Sequence, residues 1–130
     1  CVCFLRQNMF WSLLLIVGGV IAAVFLLKPL LFVSADVARK HLATGALVID
    51  VRSPEEFRSG HVPNAINIPL GELRESLPRR VKDKSQVLLL HCLSGGRSGI
   101  AKYQLKRLGY PNVFNLGSHG RAKQIIGGKA

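Results

Sequence analysis

The chain has 130 residues, enough for one domain of ordinary size and too few for a second. Its 18 Lys and Arg residues outnumber its 7 Asp and Glu residues, and the net charge of +11 favours anionic ligands or an anionic membrane surface as partners. These basic residues are not interleaved with aromatic ones and match no nucleic-acid-binding motif, so we expect no nucleic-acid partner.

An uncharged apolar segment, MFWSLLLIVGGVIAAVFLL, covers residues 9–27. As a helix it would be about 28 Å long, close to the hydrocarbon thickness of a bilayer, and it has no polar stripe. We predict a single-pass transmembrane helix here, with a juxtamembrane segment that ends at residue 33. A cleaved signal peptide is the alternative, because Val33 and Ala35 resemble a signal-peptidase site. The length of the stretch and the lack of Lys or Arg just after Met9 favour a retained anchor.

The basic residues around this segment predict its orientation. Arg6 alone precedes it, whereas Lys28, Arg39 and Lys40 follow it closely. The positive-inside bias therefore places the C-terminal domain in the cytoplasm, and a periplasmic or secreted domain is the alternative.

The first eight residues, CVCFLRQN, are interpreted as an N-terminal extension ahead of the single methionine, Met9. Cys1 and Cys3 form a C-x-C pair with no second pair of ligands nearby, so we predict no metal site there. Without these two, Cys92 is alone in the domain and has no partner for an internal disulfide.

Strand-like and helix-like segments alternate through the predicted domain, residues 34–130. Helical signals cover 35–45, 53–60, 70–77, 97–109 and 121–128, and strand-like runs cover 46–50, 65–70, 87–92 and 112–116. This alternation predicts an α/β fold with a mostly parallel sheet and helices on both of its faces. The run VLLLHC, residues 87–92, is the most apolar and is predicted to be the central strand.

Turn and cap residues mark several helix ends. Ser34 is placed to cap the first helix of the domain, and Gly45 to end it. Ser53 as N-cap and Pro54 at the first helical position predict a helix of one or two turns. Pro78 is expected to end the helix over 70–77.

The helix over 97–109 has apolar residues at helical spacing. Ile100, Tyr103, Leu105 and Leu108 fall roughly on one face, which we predict to be the buried face.

The segment after the central strand carries the strongest sign of chemistry. Cys92 ends the strand, and ligands of α/β sheets bind beyond the carboxyl ends of strands. Glycines let successive N–H groups turn inward around an anion, and the helix N-terminus adds positive potential. Arg97 supplies a fork of donors that matches oxyanions. We predict Cys92 as the catalytic nucleophile and the following residues as the anion-binding loop: Leu93, Ser94, Gly95, Gly96, Arg97 and Ser98.

The same loop would stabilise a thiolate and lower the pKa of Cys92. His91 is next in sequence, but neighbouring strand residues point to opposite faces, so it is a poor candidate for a Cys–His dyad. An inert buried cysteine is the alternative, and it explains neither Arg97 nor the strand–loop–helix context.

The segments DVRSPEEFRSGHVPNAINIPL, residues 50–70, and HCLSGGRSG, residues 91–99, together resemble the rhodanese (sulfurtransferase) homology domain over nearly all of residues 35–117. The resemblance implies a cysteine that carries sulfane sulfur as a persulfide. Cys92 would take sulfur from thiosulfate or a similar anionic donor and pass it to cyanide, a thiol or an acceptor protein. No cofactor and no metal are expected.

The length of the loop distinguishes sulfur transfer from phosphatase activity, the two activities that the resemblance implies for this fold. Rhodaneses have four residues between the cysteine and the arginine, and the related cell-cycle phosphatases have five. Four residues separate Cys92 and Arg97, so sulfur transfer is preferred to a phosphatase or arsenate reductase activity. A persulfide-carrying or sulfur-sensing relay for a membrane partner is a further alternative, suggested by the predicted anchor.

The segment before the loop, residues 50–61, and the C-terminal segment give less specific predictions. Asp50, Arg52, Glu56 and His61 are expected to have structural roles, with an Asp50–Arg52 ion pair as one possibility. The C-terminus departs from the many family members that have a tryptophan-containing helix there. The sequence instead reads NLGSHGRAKQIIGG, and we consider His119 or Arg121 as residues that could line the mouth of the site.

Overall fold

The computed structural model describes the backbone of residues 2–128 and the side chains of residues 6–27 and 30–128. The chain divides into an N-terminal helix and a domain that begins at Phe32. The helices are α1 (Val2–Leu31), α2 (Ala35–Ala43), α3 (Pro54–Arg58), α4 (Leu73–Arg80), α5 (Gly96–Arg107) and α6 (His119–Gly127). The strands are β1 (Leu47–Asp50), β2 (Ile66–Asn67), β3 (Leu88–Cys92) and β4 (Val113–Ser118).

The part of helix α1 from residue 9 to residue 27 has no charged residue and no polar stripe. Within the helix, Arg6–Leu27 has a mean hydropathy of 2.6 and is long enough to cross a membrane, and this length and composition fit both a membrane span and a signal sequence. The helix includes most of the segment predicted as an extension and continues past residue 27 to Leu31. Cys1 and the side chains of Cys3 and Lys28 lie outside the described residues.

The sheet is parallel throughout and has the strand order β2-β1-β3-β4. Strand β3 lies between β1 and β4, and all five of its residues are buried, which confirms the predicted central strand. The register places Asp50 of β1 beside His91 of β3, and Cys92 beside Ser118 of β4. The ends of β1, β3 and β4, each with a polar or reactive side chain, therefore lie side by side at the carboxyl edge of the sheet.

Two apolar layers cover the two faces of the sheet, as predicted. One contains Leu88, Leu90 and Cys92 of β3 together with residues of α4 and α5, and the other contains Leu89 together with residues of α2 and α6. Strand alternation therefore separates Cys92 from His91, which is fully buried.

The predicted caps are confirmed. The Ser34 hydroxyl accepts a hydrogen bond from the Val37 N–H, and Ser53 with Glu56 forms a capping box around α3. Gly45 follows α2 with φ of +94°, a backbone conformation that costs glycine little.

Two helical predictions are wrong. Pro78 lies inside α4, which runs on to Arg80; its missing N–H costs one hydrogen bond in the last turn but does not end the helix. The predicted buried face of α5 is wrong for Ile100 and Tyr103, which are 53% and 63% exposed, whereas Leu105 is fully buried as predicted.

The residues of α5 that are fully buried are Ser98, Ala101 and Leu105. Two of these side chains are small, which lets the helix approach the sheet closely. The helix is thereby rotated so that a hydroxyl, rather than an apolar side chain, faces the end of β3.

Candidate active site

The loop after β3 folds back over the Cys92 sulfur. The Gly95 N–H donates a hydrogen bond to Sγ at 3.0 Å, and Gly95 has a φ of +102°. A Cβ at this position would lie 2.8 Å from the Phe32 ring and 3.2 Å from the Gly117 backbone. Glycine is therefore required here both by the backbone conformation and by the close approach of two neighbouring segments.

Ser98 and Asn115 form a buried polar link behind the sulfur. The Ser98 hydroxyl lies 3.6 Å from Cys92 Sγ and 2.7 Å from Asn115 Oδ1. The Asn115 amide also donates to the Gly95 carbonyl at 3.1 Å, and its Oδ1 accepts from the Gly117 N–H at 2.9 Å. One side chain thus ties the loop, α5 and the end of β4 together.

These contacts favour the thiolate. Burial alone would raise the pKa of Cys92, but the Ser98 backbone and hydroxyl, and the backbone N–H groups of Gly95 and Ser94, stabilise negative charge on the sulfur. Because these donors outweigh burial, the pKa of Cys92 is lowered from its ordinary value of 9.0. This is the property that a nucleophilic or persulfide-forming cysteine needs.

Arg97 is beside the thiol and is already paired. Its guanidinium donates to both carboxylate oxygens of Glu56, from Nη1 at 2.8 Å and from Nη2 at 2.9 Å. The pKa of Arg97 is raised, first by Glu56 and in smaller part by the nearby Cys92. Hydrogen bonding to Arg97 lowers the pKa of Glu56 to about 2.

Cys92 is fully buried, whereas much of the loop above it is exposed. Leu93 is 58% exposed, and Ser94 and Gly96 are exposed as well. In this structure the sulfur is therefore covered by the groups around it.

The predicted loop residues surround the Cys92 sulfur, but only some of them contact it directly. Gly95 and Ser98 contact Cys92 directly, Ser94 acts through its backbone, and Gly96 begins α5. The Leu93 carbonyl accepts from the His119 N–H at 3.3 Å, which fastens the loop to α6.

Two contacts of this arrangement are not predicted by the sequence. Glu56, expected to have a structural role, pairs with Arg97, and Asn115 links Ser98, Gly95 and Gly117. The available signals were two glutamates in the first turn of α3 and an asparagine inside the apolar run NVFNL.

Arg121, considered above as a residue that could line the mouth of the site, is instead bound to backbone carbonyls. Its guanidinium donates to the backbone carbonyls of Leu116 and Val33 and lies 5.9 Å from the Phe32 ring centroid. It fastens the first residues of the domain against β4.

The predicted ion pair between Asp50 and Arg52 is confirmed and is buried, with the shortest contact at 2.7 Å. Arg52 also donates to the Gly60 carbonyl, so it secures the turn after α3. On the face of the sheet opposite the Cys92 sulfur, the side chains of Asp50, His91 and His119 bring three potential metal-ligand atoms within 4.8 Å of one another.

The chain is similar in sequence and in fold to known proteins of one family. Residues 34–118 match the family of the rhodanese-like domain. Thiosulfate sulfurtransferase PspE of Escherichia coli (strain K12) is 45% identical over 69 residues, which make up 53% of this chain and 66% of that protein. The chain therefore matches just under two thirds of this relative's length.

Two solved structures are also similar. A rhodanese with anions from E. coli is 40% identical, with a TM-score of 0.57 over 59% of this chain and 91% of the other. The human single-domain sulfurtransferase TSTD1 is 29% identical, with a TM-score of 0.61 over 76% of this chain and 97% of the other. These structures confirm the rhodanese-like α/β fold.

Proposed function

Because the chain belongs to the rhodanese-like domain family, we propose that it is a sulfurtransferase that carries sulfane sulfur as a persulfide on Cys92. The observation that supports this most directly is the hydrogen bond from the Gly95 N–H to Cys92 Sγ at 3.0 Å, with the Ser98 hydroxyl 3.6 Å away. Donors arranged around a sulfur stabilise the anion in both the thiolate and the persulfide form.

In the first half-reaction the Cys92 thiolate attacks the outer sulfur of thiosulfate or a similar donor. A new sulfur–sulfur bond forms at Cys92, the bond to the sulfonate sulfur breaks, and sulfite leaves with the bonding electron pair. Arg97 and the loop N–H groups from Leu93 to Ser98 hold the anionic end of the donor. No proton transfer is needed, so the absence of a Cys–His dyad in this arrangement is consistent with the chemistry.

In the second half-reaction an acceptor attacks the outer sulfur of the persulfide. Cyanide leaves as thiocyanate, and a thiol leaves as a new persulfide, while the electron pair of the broken bond returns to Cys92 as thiolate. The surrounding donors stabilise this leaving group.

We place the reaction at a membrane, with α1 as a single-pass anchor through residues 9–27. The support is the apolar stretch Arg6–Leu27, together with the basic residues that follow it. A cytoplasmic position for the domain follows from the positive-inside bias.

A relay without turnover on free donors is the second candidate. The observations that favour it are the full burial of Cys92 and the neutralisation of Arg97 by Glu56. Both would slow reaction with a small dianion in solution, and a docked partner could displace them.

Mass spectrometry of the full chain after incubation with thiosulfate tests the proposal. We expect a gain of one sulfur atom on Cys92 in the variant in which Cys1 and Cys3 are changed to Ser. The matched variant adds Cys92→Ser to these two changes and should gain no sulfur. A Cys92 that stays unmodified while the protein is folded would exclude both candidates.

A thiocyanate assay then separates the two candidates. Multiple turnovers with thiosulfate and cyanide, lost in Cys92→Ser, support the enzyme. A stable persulfide with negligible thiocyanate release supports the relay.

A further inference from the structure

Asp50, His91 and His119 form a polar cluster on the face of the sheet opposite the Cys92 sulfur. They come from the end of β1, from β3 and from the first turn of α6, and one ligand atom from each lies within 4.8 Å of the others. His91 Nε2 is 3.7 Å from Asp50 Oδ2, and the two imidazole ring centroids are 5.6 Å apart.

Unmet hydrogen bonding distinguishes this cluster from an ordinary buried polar network. His91 is fully buried, and neither of its ring nitrogens has a hydrogen-bond partner of good geometry among the described residues, although the Cys92 backbone lies near the ring. His119 Nδ1 is also buried and without one. Buried polar groups are nearly always satisfied, so these unpaired nitrogens, among them His91 Nε2 beside Asp50, point to a ligand between the three side chains.

Imidazole binds a metal ion through the lone pair of one ring nitrogen, which only the neutral ring keeps free. Each of His91 and His119 has one such nitrogen within 4.8 Å of the other potential ligand atoms.

The Asp50 carboxylate is held by the Arg52 guanidinium. Arg52 donates to both of its carboxylate oxygens, at 3.0 and 2.7 Å. Such a contact orients a ligating carboxylate, as outer-shell partners of metal ligands usually do. It also reduces the negative charge available to a cation, which disfavours Mg²⁺ and Ca²⁺ and leaves the imidazoles to determine the choice of ion.

The cluster needs a small contraction to close around an ion. Two ligands bound to Zn²⁺ at about 2.1 Å lie about 3.4 Å apart at a tetrahedral angle. The His91–Asp50 distance of 3.7 Å is close to this value. His119 must supply the remaining movement, and it is only partly buried at the first residue of α6.

We propose that Asp50, His91 and His119 bind one divalent transition-metal ion of the Zn²⁺ class, with water at the fourth position. The site does not involve Cys92 and does not depend on the proposed sulfur transfer. The ion would join β1, β3 and α6 behind the strand that carries the nucleophile, and would add stability to the folded domain.

Co²⁺ titration of the full chain in detergent tests this site. Cys1, Cys3 and Cys92 are changed to Ser so that thiolates cannot contribute ligands. We expect saturation at one Co²⁺ per chain with visible absorption bands of low coordination number, displacement by Zn²⁺, and no displacement by Mg²⁺ at the same concentration.

Histidine variants assign the ligands. His119→Gln and His91→Phe should each weaken Co²⁺ binding at least tenfold, whereas His41→Gln and His61→Gln should leave it unchanged. If His91→Phe does not fold, His119→Gln decides alone, because its side chain is at the edge of the cluster. Absence of saturable binding, or binding that survives His119→Gln undiminished, would overturn the proposal.

Discussion

Arg97 donates two hydrogen bonds to Glu56, at 2.8 and 2.9 Å, and the guanidinium lies next to the Cys92 thiol. The arginine that the sequence assigns to the anionic donor is therefore held, and partly neutralised, by a carboxylate of the same domain. Glu56 positions the guanidinium and at the same time places a negative charge where a dianionic donor must approach. The two effects act in opposite directions on catalysis, and a substitution can separate them.

Changing Glu56 to Gln keeps an oxygen that accepts from Arg97 but removes the negative charge. Repulsion between this charge and thiosulfate is worth about 1 kcal/mol at a partly exposed site, so we expect KM for thiosulfate to fall about fivefold with little change in kcat. The control is Glu55→Gln, because Glu55 forms an exposed pair with Arg58 on the same helix. A rise in KM would mean that positioning of Arg97 is the dominant effect.

The same ion pair predicts how stability depends on pH. The pKa of Glu56 is lowered from 4.5 to about 2, so folding stabilises its ionised form. This contribution is fully present above pH 4.5 and is lost as the pH falls toward 2. Urea midpoints should therefore drop more steeply for the native chain than for Glu56→Gln over this range. Parallel curves for the two proteins would contradict the assignment.

Ser98 should set the reactivity of Cys92. Ser98→Ala removes a hydroxyl that stabilises the thiolate, so we expect a higher pKa for Cys92 in an ultraviolet titration of the thiolate. Persulfide formation at neutral pH should slow by about three- to tenfold. Ser94→Ala is the matched control, since Ser94 is exposed and acts through its backbone. An equal effect of both substitutions would rule out a specific role for the Ser98 hydroxyl.

Asn115 is expected to matter for stability as well as for activity. Asn115→Ala leaves the buried Gly117 N–H without its acceptor and removes one of three donors to the Gly95 carbonyl, at a cost of about 1–3 kcal/mol. Asn112→Ala, which removes an exposed bond to the Ser85 carbonyl, should cost less than about 1 kcal/mol. Urea midpoints at a constant m value measure both. Similar losses in the two variants would show that the Asn115 contacts carry no special weight.

Local sequence signals predicted what depends on local structure. The caps at Ser34 and Ser53, the apolar central strand and the position of Cys92 at its end all follow from residue type and spacing, and the structure has them. The alternation of strand side chains also correctly separated His91 from the thiol.

Contacts between distant segments could not be predicted in this way. Glu56 and Arg97 are 41 residues apart, and nothing in either segment alone identifies the other. The face of α5 was misjudged because helical periodicity finds apolar residues, whereas close packing against the sheet selected small ones such as Ser98 and Ala101. The Asp50–His91 contact depends on the register of two parallel strands, which is a tertiary property.

The Phe32 ring leaves no room for a side chain at Gly95, and this predicts the effect of a larger residue in the loop. Gly95→Ala introduces a Cβ at a φ of +102° and 2.8 Å from the Phe32 ring, so we expect a loss of about 2–3 kcal/mol and weaker persulfide formation. Adding Phe32→Ala removes the ring but not the backbone strain or the 3.2 Å approach to Gly117. The double variant should therefore recover about 1 kcal/mol relative to additivity.

Gly120→Ala is the matched control for this cycle. Gly120 lies in α6 with no atom within 4 Å of an added Cβ and no positive φ, so the substitution should be neutral or stabilising by up to about 1 kcal/mol. Full additivity of Gly95→Ala and Phe32→Ala would show that the ring does not constrain the loop. In that case the requirement for glycine would come from the backbone conformation and the Gly117 approach alone.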